Sequence, residues 1–148
     1  MKGPVGVNRK PAWNRPGPTT RGNNNMPNSL VRDHIQGQQI VSVDGQMSVR
    51  QAARLMFDHN VGSVLVMEGD ELRGIFTERD ALYLFVATRR NSDTTTVESV
   101  MTENPETIGP DERVGDAMER MENGGYRHLP VVEDGKVIGV ISLRSING

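Results

Sequence analysis

The sequence contains no cysteine and no long apolar segment, and each absence excludes a class of protein. Without cysteine, its 148 residues can form neither a disulfide framework nor a thiol nucleophile. No apolar stretch approaches the roughly 20 residues that a membrane-spanning helix needs. The N-terminus also lacks the apolar core of a secretory signal. We therefore expect a cytoplasmic globular protein of about one-domain size.

Signs of catalysis are also absent. The three histidines, His34, His59 and His128, are far apart in the sequence and do not have metal-ligand spacing. No nucleophile with an adjacent base and no pair of catalytic carboxylates stands out. The sequence therefore predicts no catalytic residues, no metal site and no enzyme.

The first 28 residues contain no acid and are rich in proline, glycine and asparagine. Their five basic residues leave twelve basic against nineteen acidic residues in the rest of the chain. Such a composition cannot bury a core, so residues 1–28 are predicted to be a flexible basic tail. Five charges over this length provide little electrostatic attraction for nucleic acid. The favoured interpretation is a solvated N-terminal segment, and the alternative is that the tail binds nucleic acid or another acidic surface.

The remainder of the chain repeats itself. Residues 49–81 align without a gap on residues 114–146, at a constant offset of 65. A repeat of this length is one supersecondary unit that buries its apolar face against a neighbour. Two such units create a seam, and ligands tend to bind in seams.

Each unit is predicted to contain a strand, a helix, a β-hairpin and a second helix. In the first unit we predict a strand at 40–43 and a helix from Val49, with Ser48 and Gln51 as its capping box. A hairpin of strands 63–67 and 72–76 follows, and then a helix at about 80–90. In the second, 107–108 mark the strand, Val114 starts the helix, and 129–132 and 136–141 form the hairpin. Residues 142–148 are too few for a full final helix. The predicted units are 29–91 and 92–148, with a linker at 92–99.

Three motifs resemble those of tandem CBS domains, the cystathionine-β-synthase module, and especially small stand-alone bacterial CBS-pair proteins. They are Val-Met-Thr-Glu-Asn-Pro at 100–105, Arg-His-Leu-Pro-Val-Val-Glu-Asp-Gly at 127–135, and Gly-Ile-Phe-Thr-Glu-Arg-Asp at 74–80. The resemblance implies an α/β fold of two β-α-β-β-α units packed sheet to sheet around a pseudo-two-fold axis. It also implies a homodimer, and regulation by an adenosine-containing ligand bound between the units.

The resemblance places a ribose site at Thr77 and Asp80, since a carboxylate can accept hydrogen bonds from both vicinal hydroxyls. The alternative for this pair is a helix capping box, and both roles can coexist. The phosphate would lie at Arg127 and His128, although Arg127 as a surface residue and His128 as a packing residue remain alternatives. The predicted base pocket consists of Ser42, Val61, Gly62, Ser63 and Ile75.

The second unit departs from this pattern at its ligand positions. Ser145 stands where the first unit has Asp80, and Gly62 stands where the second has Arg127. A serine supplies no charge and only one hydroxyl, so the sequence predicts one competent site per chain, built from both halves.

The resulting hypothesis is a regulatory module that senses AMP, ADP or ATP, and so energy state, and modulates an unknown partner protein. The alternatives are a sensor of NAD(H) or S-adenosylmethionine, and a ligand-free dimerisation or scaffold module. The ligand is not expected to act as a catalytic cofactor.

Overall fold

The computed structural model describes residues 26–147. The predicted basic tail lies outside this range except for its last three residues. These residues, Met26–Asn28, form a 3-10 turn against the second unit, where the Pro27 carbonyl oxygen lies 3.0 Å from the position of a Cβ on Gly115. The end of the segment predicted to be flexible is therefore part of the folded structure.

The first unit follows the predicted order of elements. Strand β1 (Ser42–Val43) leads to helix α1 (Val49–His59), and strands β2 (Ser63–Glu68) and β3 (Glu71–Thr77) form the hairpin. The predicted capping box is present, because the Ser48 hydroxyl accepts a hydrogen bond from the Gln51 amide and Gln51 reaches back to the Ser48 amide. The helix ends at Asn60, which adopts the left-handed conformation.

The helix after β3 differs from the prediction in its bounds and its geometry. It begins at Glu78 rather than Asp80, runs as α2 (Glu78–Leu82), and continues as a single π-helical turn over Tyr83–Ala87. Thr77 caps this helix, so its start is fixed by the same residue that ends β3. The predicted extension to residue 90 is wrong, since Arg89 has a positive φ of 57°.

The second unit repeats these elements in shorter form. After α3 (Val97–Val100) and β4 (Thr102–Glu103) come helix α4 (Val114–Gly124), strands β5 (His128–Glu133) and β6 (Lys136–Ser142), and helix α5 (Leu143–Asn147). Helix α5, which follows β6, has five residues here. The strand predicted at 107–108 is reduced to one bridge, in which Ile108 pairs in parallel with Val131.

The two sheets are completed in different ways. The first has four strands in the order β1-β2-β3-β4, so its outer strand β4 comes from the region after the linker. Within residues 26–147, the second consists of β5 and β6. At the corresponding edge of β6 the Gln38 side-chain amide donates to the Val140 carbonyl at 2.8 Å and accepts from the Val140 amide at 2.7 Å. One glutamine side chain thus satisfies backbone groups that a strand satisfies in the first unit.

Each unit has its own apolar core, and each core contains a residue from the other half of the sequence. Val31 and Ile35 pack in the second core with Val114, whereas Val97 packs in the first core with Val49. Matching backbone hydrogen bonds hold the two crossing segments: Val31 donates to the Glu112 carbonyl and Val97 to the Met47 carbonyl, each at 2.9 Å. The crossing follows the pseudo-two-fold relation and fixes the two units to each other.

Candidate functional site

A cleft of about 1030 Å3 lies at the seam between the two units. The first unit supplies the C-terminal half of α1, the end of β3 and the start of α2, and the second supplies the end of α4 and the start of β5. The loop after β4 closes one side. The lining residues that the chemistry below uses are Thr77, Glu78, Arg79, Asp80, Glu106, Tyr126, Arg127 and His128.

Contacts across this seam are related by the repeat. On one side the Arg79 guanidinium donates to the Gly125 carbonyl at 3.5 Å, at the end of α4. On the other side Arg144, its counterpart, donates to Asn60 Oδ1 at 3.2 Å, at the end of α1. Each unit therefore reaches the C-terminal end of the other unit's first helix, where a cation is favourable to the helix dipole.

The structure brings together six of the nine predicted site residues. Lining the cleft are Val61, Ile75, Thr77, Asp80, Arg127 and His128. Ribose, base and phosphate groups were thus predicted at positions that share one cavity, although they come from sequence segments about 50 residues apart.

The other three predicted residues, all assigned to the base pocket, are not on its wall. Ser42 is exposed on β1, and Ser63 is buried in β2. Gly62 lies under two cleft residues, since a Cβ added there would stand 3.0 Å from His128 Nε2 and 3.2 Å from Glu78 Oε1. A side chain at position 62 would therefore press on the seam, which explains why this unit has glycine where the other has arginine.

Thr77 and Asp80 form the capping box that was the alternative to ribose binding. Thr77 Oγ1 accepts from the Asp80 amide at 3.2 Å, and Asp80 Oδ2 accepts from the Thr77 amide at 3.0 Å. The box uses the threonine oxygen as an acceptor and one oxygen of the carboxylate. The hydroxyl hydrogen of Thr77 and Asp80 Oδ1 remain for a ligand, so the cap and a ligand contact are chemically compatible.

The equivalent pair in the second unit leaves less for a ligand. The Ser145 amide donates to Ser142 Oγ at 3.1 Å, and the Ser142 amide donates to Ser145 Oγ at 2.9 Å. Ser145 Oγ also donates to the Ser142 carbonyl at 2.9 Å. Its hydroxyl hydrogen is thereby used, and no charge is present, so this position has no equivalent of the free Asp80 oxygen.

The predicted phosphate residues differ in charge at neutral pH. Arg127 is exposed immediately before β5 and carries a guanidinium group, whose planar donors suit a phosphate. His128 is partly buried; burial, with the nearby charges of Arg127 and Arg144, lowers the pKa of its ring to about 4. His128 is therefore neutral at pH 7 and can offer a ligand one donor or acceptor but no charge.

Glu78 is a cleft residue to which the sequence analysis assigned no role. Its Oε2 atom is buried and has no hydrogen-bond partner. Burial raises the pKa of this carboxyl, while the positive charges of Arg144 and Arg127 act in the opposite direction. The repeat contained a signal that could have identified Glu78. Leu143 occupies the equivalent position of the second unit, so the charge is confined to the first unit.

Tyr126 and Glu106 form a second pair that sequence reasoning missed. The Tyr126 hydroxyl donates to the Glu106 carboxylate, and burial together with this hydrogen bond raises the pKa of Tyr126 to about 12. The tyrosine ring lies where a Cβ on Gly124 would stand. Two glycines end α4 for different reasons: Gly125 adopts a φ of 72° as the left-handed cap, and Gly124 makes room for the ring.

Within residues 26–147, no three or more acidic or histidine side chains are grouped so that they could hold a metal ion. None of the described helices has the length and apolar character needed to span a membrane.

Fold and seam together define a tandem α/β module with a ligand-sized cleft between its repeats. The profile of the CBS domain matches the sequence twice, at residues 31–87 and 97–147. The chain therefore belongs to the CBS-domain family and carries a tandem pair, as the sequence motifs indicated. CBS pairs are regulatory ligand-binding modules.

Curated relatives share about a third of the matched residues. One is an uncharacterised 17.7 kDa protein of Acidianus ambivalens, 36% identical over 106 residues, which are 70% of this chain and 63% of the relative. Another is a mitochondrial CBS-domain protein of Arabidopsis thaliana, 36% identical over 104 residues, 67% of this chain and 50% of the relative. The match thus spans about half to two thirds of the length of these relatives.

Solved structures show the same fold. A CBS-domain protein from Agrobacterium tumefaciens has a TM-score of 0.74 at 30% identity, covering 80% of this chain and 96% of its own. A CBS domain pair crystallised with 5'-methylthioadenosine and S-adenosyl-L-methionine has a TM-score of 0.70 at 26% identity, covering 80% and 92%. A Pyrobaculum aerophilum CBS protein complexed with AMP, at 24% identity and a TM-score of 0.72 over 79% and 89%, shows the likeness of fold alone.

Proposed function

We propose that this chain is a regulatory module that binds an adenosine-containing ligand in the cleft beside Thr77 and Asp80. AMP, ADP and ATP are the first candidates, with S-adenosylmethionine and NAD(H) as alternatives. Binding would shift the relative position of the two units, and a partner protein would respond to that shift.

The observation that carries this proposal is the free acceptor on Asp80. Its carboxylate is oriented by the capping box through Oδ2, while Oδ1 has no hydrogen bond among the described contacts. A carboxylate fixed in this way can accept a charge-assisted hydrogen bond from a ribose hydroxyl. The CBS pair crystallised with two adenosyl compounds supports the choice of ligand class.

The ligand would contact both units. Thr77 and Asp80 belong to the first unit, and Arg127 and Tyr126 to the second, and all four line the same cleft. Binding energy gained from both sides of the seam stabilises one relative arrangement of the units. This is the property that a regulatory module requires.

Adenosine, AMP, ADP, ATP, S-adenosylmethionine and NAD⁺ should be titrated into the full chain while its thermal stability is followed. A ligand at a hundred times its dissociation constant adds about 2.7 kcal/mol to the free energy of unfolding. We expect Asp80→Ala to abolish this stabilisation. The matched control is Ser145→Ala at the equivalent position of the second unit, which should bind as the wild type does.

The proposal fails if none of the six compounds changes the unfolding transition. It also fails if Asp80→Ala and Ser145→Ala reduce binding equally, because the ligand would then not depend on the cleft at Asp80.

A second candidate function is self-association. Phe57, Leu82, Tyr83 and Val86 are large apolar residues whose exposed fractions are 51%, 57%, 57% and 72%. Three of them lie on α2 and the π-helical turn. Apolar side chains grouped in this way favour contact with another chain, and we propose a second copy of this module.

Mass in solution tests this candidate, with and without nucleotide. We expect a dimer for the wild type and a monomer for Val86→Asp, which places a charge on the most exposed of these residues. A dimer that ignores every adenosyl compound would favour the scaffold function over the sensor.

A further inference from the structure

The charges that line the cleft do not suit a highly anionic ligand. Three carboxylates, Glu78, Asp80 and Glu106, face two guanidinium groups, Arg79 and Arg127. His128 is uncharged at pH 7 because burial keeps its pKa near 4. The acidic groups therefore outnumber the basic ones on the wall where phosphate binding was predicted.

One of the two arginines is already engaged. Arg79 donates to the Gly125 carbonyl across the seam, and its guanidinium carbon lies 5.5 Å from the centre of the Tyr83 ring. Moving it to a phosphate would break both interactions. Arg127 is exposed, and its guanidinium makes no such hydrogen bond or ring contact among the described residues. Of the two arginines it can therefore reach a phosphate with the smaller loss of existing interactions.

Glu78 lies close to this cation and to the predicted phosphate position. Glu78 Oε1 and His128 Nε2 both stand within 3.2 Å of the point where a Cβ on Gly62 would be, so the carboxylate is next to the start of β5. Burial raises the pKa of Glu78, and the charges of Arg144 and Arg127 oppose that rise by favouring the ionised form. A ligand phosphate that takes Arg127 must therefore compete with a carboxylate already in its field.

The geometry points to Glu78 as a specificity-determining residue that limits the negative charge of the ligand. We infer that the cleft accepts an adenosyl ligand with at most one phosphate and discriminates against di- and triphosphates. This inference rests on the proposed function and chooses among its candidates. The second unit has Leu143 at the position equivalent to Glu78, so this charge is present in the first unit alone.

The expected size of the effect follows from Coulomb's law. A like-charge pair about 4 Å apart weakens binding by about fivefold in bulk water and by much more in the lower dielectric near a protein surface. Salt reduces the penalty at exposed groups, so we expect an effect of about tenfold. AMP has one phosphate, which Arg127 can bind. ATP has two more, and the cleft lining offers no second uncommitted arginine to neutralise their charge.

Calorimetric titration of the full chain with adenosine, AMP, ADP and ATP tests the inference, in EDTA so that no metal ion neutralises the phosphates. We expect the wild type to bind ATP at least about tenfold more weakly than AMP. Glu78→Gln should tighten ATP binding by about tenfold and change AMP binding by less than about threefold.

Asp70→Asn is the matched control, because it removes the same charge in the β2–β3 turn, at the end of the hairpin away from Thr77. It should leave the ratio of AMP to ATP affinity unchanged.

The outcomes separate the two proposals. If ATP binds the wild type as tightly as AMP, or if Glu78→Gln changes every ligand by one common factor, the charge limit is overturned while the adenosyl site stands. If none of the four compounds binds any variant, the adenosyl site is overturned, and the inference falls with it.

Discussion

The two units use one backbone device at their ligand positions but leave different chemistry available. Thr77 and Asp80 cap α2 in the first unit, and Ser142 and Ser145 cap α5 in the second, with the same pair of amide-to-side-chain hydrogen bonds. Asp80 retains a free charged oxygen after capping, whereas the Ser145 hydroxyl gives its hydrogen to the Ser142 carbonyl. Helix capping thus preserves the fold in both units, and under the proposed function the choice of acid or hydroxyl decides which unit can also bind the ligand.

The two units also differ in how the outer edge of each sheet is hydrogen-bonded. In the first unit a backbone strand, β4, covers the edge of β3, and in the second the Gln38 side chain covers the edge of β6. The hydrogen-bonding requirement is equal in both, but a side chain can adjust where a strand cannot. The second unit should therefore tolerate change at this edge better than the first.

The largest expected effect tests the crossed cores. Val31 and Val97 are both fully buried. Val31 precedes strand β1 of the first unit but packs in the core of the second unit, and Val97 lies in α3, after the first unit, but packs in the core of the first. We expect Val31→Ala and Val97→Ala each to lower the free energy of unfolding by about 2 kcal/mol, through lost contacts and a residual cavity.

Hydrogen exchange distinguishes the two variants. Val31→Ala should weaken protection mainly in β5 and β6, and Val97→Ala mainly in β2 and β3. Glu119→Ala, at an exposed position on α4 outside the cleft, serves as the control and should change stability by less than about 0.5 kcal/mol. Equal loss of protection in both sheets for either variant would contradict the crossed arrangement.

The next prediction compares Gly74 with Gly139, its counterpart. A Cβ on Gly74 would meet the Met101 side chain and the Thr102 carbonyl oxygen at 2.8 Å, which belongs to the backbone of β4. A Cβ on Gly139 would meet Ile35 Cδ1 at 2.9 Å, and Gln38 Oε1 and Ile35 Cβ each at 3.0 Å; all three are side-chain atoms, and the first two are near the ends of their side chains. We expect Gly74→Ala to cost about 2 kcal/mol and Gly139→Ala about 1 kcal/mol or less.

Denaturant unfolding of the two glycine variants measures this difference. A cost for Gly139→Ala that equals or exceeds that of Gly74→Ala would show that the Gln38 edge is as rigid as a strand. The double variant Gly139→Ala with Gln38→Ala separates the steric effect from the lost hydrogen bonds.

The smallest effect concerns pH. The folded-state pKa of His128 is about 4, below its ordinary value of 6.5, so the unfolded chain takes up a proton that the folded chain excludes. Stability is therefore lost as pH falls from about 6.5 to 4. A shift of this size corresponds to about 3 kcal/mol at most, and the partial exposure of the ring to solvent reduces it, so we expect a loss of about 1 to 2 kcal/mol across that window.

Glu78 acts in the opposite direction, because its folded-state pKa is raised and the folded chain gains a proton more readily than the unfolded one. The histidine contribution is thus best measured as a difference between the wild type and His128→Gln, with melts at pH 7 and pH 4.5. A difference that does not change with pH would show that the ring is not held neutral in the seam.

Much of the local structure could be predicted because its causes are local. The Ser48 cap, the hairpin turns and the stop of α4 at Gly125 follow from residue types at fixed spacing. The π-helical turn after Leu82 was not predicted, because the apolar pattern of that segment also fits an ordinary helix. The short strands were predicted too long, since two residues of pairing leave little signal.

The candidate site was predictable only in part, for the same reason. Thr77 and Asp80 follow each other at capping spacing, and Arg127 and His128 begin a recognisable strand motif. Glu106 and Tyr126 lie 20 residues apart in the sequence, and no periodic pattern indicates that they form a hydrogen bond. Of the three predicted residues that do not line the cleft, Ser42 and Ser63 lie in strands and Gly62 lies immediately before β2, and packing decides which of their faces is exposed.

By itself, the sequence determined that two copies of one α/β unit are present, that they belong to the CBS family, and that only one copy has an acid at the predicted ligand position. These properties are carried by residue identity at fixed spacing. The tertiary structure decided that Val31 and Val97 exchange units, that Gln38 replaces a strand, and that Glu78 lies beside Arg127 and His128. Those contacts join residues about 50 to 100 positions apart, and only chain packing determines which of the possible distant pairs form.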